Sequence, residues 1–235
     1  MLYFRTHGEY MDGTGTGKPG YDKIRFCEEQ ARRDGLQYFG STRAGCIDKS
    51  SSTELQEAIS SMFRWYRNAA ECHVYLAEVS RPALDADRRP SQLAWELSFR
   101  KSRWFTRGWT LQELVTPALV EFFSREGDQL GSRRSLERHV HEVTRIPVKA
   151  LRGSPLSDFT VPERMLWVED RDTTRKEDKA YSLLGIFDVY MPLIYGEGRE
   201  KAFKRLQDEI DKASKGKLLL ITCVHMDVLS VLGRC

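Results

Sequence analysis

Trp104-Phe105-Thr106-Arg107-Gly108-Trp109-Thr110-Leu111-Gln112-Glu113-Leu114 is followed, across Pro117, by Leu119-Val120-Glu121-Phe122-Phe123. The first stretch reads as a helix that starts at Trp109 and is closed by Pro117, because the residue before a proline is driven out of helical geometry. The second is short, apolar and rich in side chains that pack well on a pleated surface, so it reads as a strand. A helix handing over to a strand is an α/β step, and the step recurs upstream. A helix is predicted from Tyr21 to about Arg33, burying Ile24 with Cys27 and closing at Gly35, before a strand over Leu36-Gln37-Tyr38-Phe39. Ser51 and Glu54 have capping-box spacing, and Leu55, Ile59, Met62, Phe63 and Tyr66 recur at helical steps up to about Asn68. Cys72 to Val79 then predicts a further strand, followed by a polar loop from Arg81 to Pro90.

Downstream the pattern turns helical. Helices are predicted over Leu93 to Arg100, Ser135 to Val143, Pro162 to Val168, Glu177 to Leu184 with Thr174 as its cap, and Arg199 to Ala213. The expectation is an α/β fold, a parallel sheet flanked by helices, with a mostly helical C-terminal extension. No internal repeat is present.

The 235 residues amount to about 1.6 typical domain lengths, which suits one large domain with additional ends. Apolar residues at 40% and charged residues at 30% exclude a disordered or collagenous chain. The 37 Lys and Arg are interleaved with 34 Asp and Glu, so the net charge of +3 comes from balance and not from a basic arm. That excludes a strong nucleic-acid footprint. The basic pairs Arg32-Arg33, Arg88-Arg89 and Arg133-Arg134 lie among acids and read as solvated faces or local ion pairs. Cys27, Cys46, Cys72, Cys223 and Cys235 are odd in number and scattered, which speaks for a reducing cytoplasm over a disulfide framework. No signal pattern and no membrane-length apolar run is found.

His139-Val140-His141 falls on a predicted helix, where residues two apart face different ways. Cys223-Val224-His225 would share one face of a strand but has no second ligand pair nearby, and reads as core. Neither points to a metal. Asp12-Gly13-Thr14-Gly15-Thr16-Gly17-Lys18-Pro19-Gly20 departs from a phosphate-binding loop at Asp12 and Pro19, and Gly-x-Ser-x-Gly is absent. The strongest chemistry lies in the opening stretch. On a helix Trp109 and Glu113 are four residues apart and share a face, which would set an aromatic wall beside a carboxylate. Such a pair suits a sugar or nucleotide: the carboxylate stabilises an oxocarbenium-like transition state while Arg107 faces a phosphate. The same residues also fit a core tryptophan and a solvated or paired glutamate.

Arg107-Gly108-Trp109-Thr110-Leu111-Gln112-Glu113-Leu114, with Cys46-Ile47-Asp48-Lys49 and Met62-Phe63-Arg64-Trp65-Tyr66-Arg67-Asn68-Ala69 before it, resembles the fungal heterokaryon incompatibility (HET) domain. Asp178-Lys179-Ala180-Tyr181-Ser182-Leu183-Leu184-Gly185-Ile186-Phe187 and Pro192-Leu193-Ile194-Tyr195-Gly196-Glu197-Gly198 resemble the segment that follows that core in vegetative incompatibility proteins. The resemblance divides the chain into an N-terminal tail over 1–19, a core over 20–125, a helical extension over 126–213 and an atypical tail over 214–235. It implies a cytoplasmic module of non-self recognition that triggers programmed cell death. Its partners would be an incompatibility protein or a second copy. Relatives often add a nucleotide-binding oligomerisation domain and repeats, for which 235 residues are too short.

HET domains are similar to TIR domains, whose fold is flavodoxin-like, and Trp109-Thr110-Leu111-Gln112-Glu113-Leu114 resembles the plant TIR segment whose glutamate serves NAD cleavage. The implication is that Glu113 is the catalytic carboxylate, that Trp109, Arg107 and Asp48 bind substrate, and that NAD is a substrate with no resident cofactor. Two departures stand against this. Residues 1–20 lack the family's Ser-His-Thr-Trp-Gly-like opening, so a first strand is expected to be missing, and the Trp and Asp that normally precede Cys46-Ile47-Asp48 are absent. A non-catalytic signalling module and an inactive, truncated paralogue are therefore the alternatives.

Overall fold

A computed structural model describes residues 4–5, 21–36, 38–39, 51–80 and 92–231. The chain is mixed α/β. Its elements are β1 (Phe4–Arg5), α1 (Tyr21–Arg33), β2 (Tyr38–Phe39), α2 (Ser52–Arg67), β3 (Cys72–Tyr75), α3 (Gln92–Arg100), α4 (Thr110–Val115), β4 (Val120–Phe123) and β5 (Gln129–Ser132). These are followed by α5 (Glu137–Thr144), α6 (Val148–Leu151), α7 (Val161–Leu166), α8 (Asp178–Tyr181), α9 (Leu184–Phe187) and α10 (Arg199–Val231).

The central sheet has the order β3-β4-β5. β3 and β4 are parallel, with Cys72 opposite Val120 and Tyr75 opposite Phe123, and the crossover between them carries α3 and α4. β4 and β5 are antiparallel, so the sheet is mixed where an all-parallel one was expected. β5 arises from a tight return after β4, in which Ser124 N–H donates to the Asp128 carbonyl and Gly127 takes a φ of 86°. That left-handed backbone favours glycine. The N-terminal stretch expected to lack a strand contributes β1, which pairs antiparallel with β2 in a separate two-stranded sheet.

Local signals explain the helices. The Ser51 hydroxyl accepts from Glu54 N–H at 3.3 Å, half of the predicted capping box, and Ala58, Ile59 and Met62 supply the buried stripe of α2. Ser51→Ala should cost about 1 kcal/mol, read as a lowered denaturant midpoint with an unchanged slope. In α1 the buried positions are Phe26, Glu28 and Ala31, while the predicted pair Ile24 and Cys27 is only half-buried. Phe26 packs its ring 4.9 Å from Phe123 and 5.1 Å from Tyr75, laying α1 against the sheet. The predicted helix over Glu177 to Leu184 is instead two short helices, α8 and α9, and no side chain caps α8. Thr174 does not cap it. The segment read as a strand around Cys223 continues α10 to Val231.

The core runs from the sheet into the back half of the chain. Phe99, Phe105, Trp104 and Phe122 form an edge-to-face cluster with centroids 5.0 to 5.6 Å apart, beneath the turn that leads into α4. Five of the six residues of α4 are buried, Gln112 among them. A helix enclosed on nearly all sides is held by its surroundings and not by propensity. Among the described residues no helix is long and apolar enough to cross a membrane.

Candidate functional site around the fourth helix

The turn before α4 is tied down at both ends. Asp172 N–H donates to the Thr106 carbonyl at 2.6 Å and Gly108 N–H donates to the Asp172 carbonyl at 2.9 Å. A Cβ on Gly108 would lie 2.5 Å from Thr173 Cγ2, so glycine permits this approach. The Thr110 hydroxyl lies 2.7 Å from the Trp104 carbonyl and 2.8 Å from the Arg107 carbonyl, closing the turn. At the other end Arg133 donates to the carbonyls of Leu114 at 2.7 Å and Ala118 at 3.2 Å, satisfying the C-terminus of α4.

Arg171 is the hidden support of this turn. Its Nη1 donates to the Arg107 carbonyl and to Thr110 Oγ1, each at 2.9 Å, and its Nε donates to the Trp167 carbonyl at 3.0 Å. Burial pulls its pKa down to about 10, opposed by the negative charge of Glu113. At that value the guanidinium is charged at neutral pH. Arg171→Ala should destabilise the chain by about 2 kcal/mol, since the loss of three hydrogen bonds that hold the turn outweighs the relief of a buried charge, and urea unfolding would measure this.

Glu113 projects from α4 and is half-buried. Tyr66 on α2 donates its hydroxyl proton to Oε1 at 3.0 Å, and the indole of Trp104 donates to Oε2 at 3.2 Å. Two donors facing two carboxylate oxygens fix the group, with no ion pair to it among the described residues. The tryptophan that holds the carboxylate is not the expected Trp109. Trp109 precedes the first helical turn, and its indole donates to Asp178 Oδ2 at 3.3 Å, so the tryptophan beside Glu113 is Trp104. The Tyr195 hydroxyl donates to the other Asp178 oxygen at 2.9 Å. Burial raises the pKa of Asp178, opposed by the hydrogen bonds from Tyr195 and Trp109. The Arg175 guanidinium lies over the Tyr195 ring, 4.1 Å from its centroid.

Arg107 is exposed, and what it gives the site's framework is its carbonyl, which accepts from Arg171. Asp48 lies outside the described residues, as do Asp12 to Gly20 and Arg88-Arg89. Two thiols lie within the electrostatic reach of Glu113. Burial pushes both Cys27 and Cys72 up, the Glu113 charge adds to this, and Lys23 opposes it. Both are therefore protonated at neutral pH and poor nucleophiles. His139 and His141 sit on α5 as expected and face apart: His139 lies 3.4 Å from Glu96, and His141 Nδ1 lies 2.8 Å from the Ile146 carbonyl.

This chain is similar to a vegetative incompatibility protein. The relative is "Vegetative incompatibility protein HET-E-1" of Podospora anserina, 60% identical over 207 residues that make up 88% of this chain. The aligned region spans 15% of that relative's length. No family model matches the chain, and no solved structure matches it. Sequence reading passed over Tyr66, Trp104, Asp178 and Arg171 as site residues. In the sequence Tyr66 falls in the apolar period of α2, Trp104 only heads the opening stretch, and Asp178 only heads a motif.

Proposed function

We propose that the chain is the HET domain of a fungal incompatibility protein, TIR-like in its core, and that it triggers cell death by cleaving NAD at Glu113. The observation that carries the incompatibility role is the 60% identity to HET-E-1 over 207 residues. What supports the catalytic part is the environment of Glu113: a half-buried carboxylate with each oxygen held by an aromatic donor. A solvated helix glutamate would have neither restraint. In the reaction the bond between ribose C1′ and nicotinamide nitrogen breaks, its electron pair leaves with nicotinamide, and water bonds to C1′ and releases a proton. Glu113 offsets the positive charge that builds on the ribose as that bond opens.

The site of action is the cytoplasm, and the partner is an incompatibility protein or a second copy of the chain. A second reading, signalling by self-association without chemistry, is favoured by the exposed Tyr190, Ile194 and Leu166. Expression of the chain and of Glu113→Gln in fungal cells separates the two. The catalytic reading expects killing and loss of cellular NAD with the parent chain and survival with the variant. Equal killing by both would hand the function to the exposed apolar surface.

A further inference from the structure

We propose that Asp34, Glu71 and His73 form a binding site for a first-row divalent cation of the zinc class, separate from Glu113. Asp34 follows the last turn of α1, and His73 lies on β3 with Glu71 just before it. Glu71 and His73 are two residues apart in extended chain, so both side chains leave on the same side. One ligand atom from each of the three residues lies within 4.8 Å of the others. His73 Nε2 is 3.0 Å from Glu71 Oε2 and 3.4 Å from Asp34 Oδ2. A tetrahedral zinc with bonds near 2.0 Å separates its ligand atoms by about 3.3 Å, so two edges of that tetrahedron are in place.

The histidine decides the class of ion. Two carboxylates alone would suit calcium or magnesium, but an imidazole nitrogen selects zinc and its neighbours in the first row. The donors are also oriented from behind. Gln30 donates to both Asp34 oxygens, at 3.1 and 3.3 Å, and the His73 ring stands edge-on to Phe123 at 5.4 Å. The His73 side chain is 10% exposed and that of Asp34 25%, which leaves the outer position for water, as in a three-ligand site. Occupied, the site would clip the end of α1 to β3. Sequence reading missed it because Asp34 and His73 are distant in the chain and only the packing of α1 on the sheet joins them.

Calorimetric titration of the metal-stripped full chain with zinc chloride tests this, with thermal unfolding read in parallel. One equivalent should bind and raise the unfolding temperature. Asp34→Asn, at an exposed position that keeps an oxygen acceptor for Gln30, should weaken binding about tenfold or more without changing the unfolding temperature of the metal-free chain. His73→Gln should abolish it. No binding by the folded parent chain would overturn the proposal, and so would zinc affinity unchanged by Asp34→Asn, which would place the ion elsewhere.

Discussion

Gly185→Ala is expected to destabilise the chain by about 3 kcal/mol or more, lowering the unfolding temperature by roughly 6–12 °C. A Cβ at Gly185 would sit 2.1 Å from Phe63 Cβ and 2.3 Å from its Cγ. Phe63 Cβ is bonded to the backbone of α2 and does not move with rotamer changes, so α2 and α9 would have to part by more than an ångström. The residues beside Gly185 are buried Leu184, Ile186 and Phe187, and that separation would open the core between them. Helix propensity works in the opposite direction, favouring alanine over glycine by about 1 kcal/mol. The sign of the result is therefore informative: a neutral or stabilising outcome in thermal unfolding would mean that the two helices do not touch here. Because Tyr66 lies one turn beyond Phe63, the same variant should also disturb the hydrogen bond to Glu113.

The second large effect is on turnover, and two substitutions of Glu113 divide structure from chemistry. Glu113→Gln keeps an oxygen for the Trp104 indole, and the Tyr66 hydroxyl can rotate to accept from the new amide. Its stability should stay within about 1 kcal/mol of the parent chain. Glu113→Ala leaves the indole N–H of Trp104, a residue only 8% exposed, without its acceptor, at a cost of about 1–3 kcal/mol. NAD cleavage should fall at least about hundredfold in both, because neither carries a negative charge to place against the ribose. A purely structural Glu113 gives a different pattern: the alanine variant impaired through its fold, the glutamine variant close to normal. Turnover and unfolding measured on the same samples tell these patterns apart.

What the sequence disclosed follows from which signals are local. β3 was visible through its alternation, β4 as a short apolar run bounded by breaks, and α2 because its apolar residues keep the helical period. β5 was not visible, since Gln129-Leu130-Gly131-Ser132 is polar and glycine-containing, and becomes a strand through pairing with β4. The division of Glu177 to Leu184 into α8 and α9 is equally a matter of packing, with Gly185 placed against Phe63. The site was half legible. Helical spacing put Trp109 on the Glu113 side of α4, but the turn before the helix directs that indole to Asp178 and brings in Trp104, nine residues earlier, to hold the carboxylate. Tyr66 and Arg171 come from elements far away in sequence, and no spacing rule reaches them.

Nicotinamide released from NAD by the purified chain, beside its Glu113→Gln variant, reads the proposed cleavage of the nicotinamide–ribose bond at Glu113. The parent chain should release nicotinamide steadily, and an equally stable variant at least about a hundredfold less. Release at the same rate by both, or none from a folded parent chain at high concentration, would contradict cleavage at Glu113.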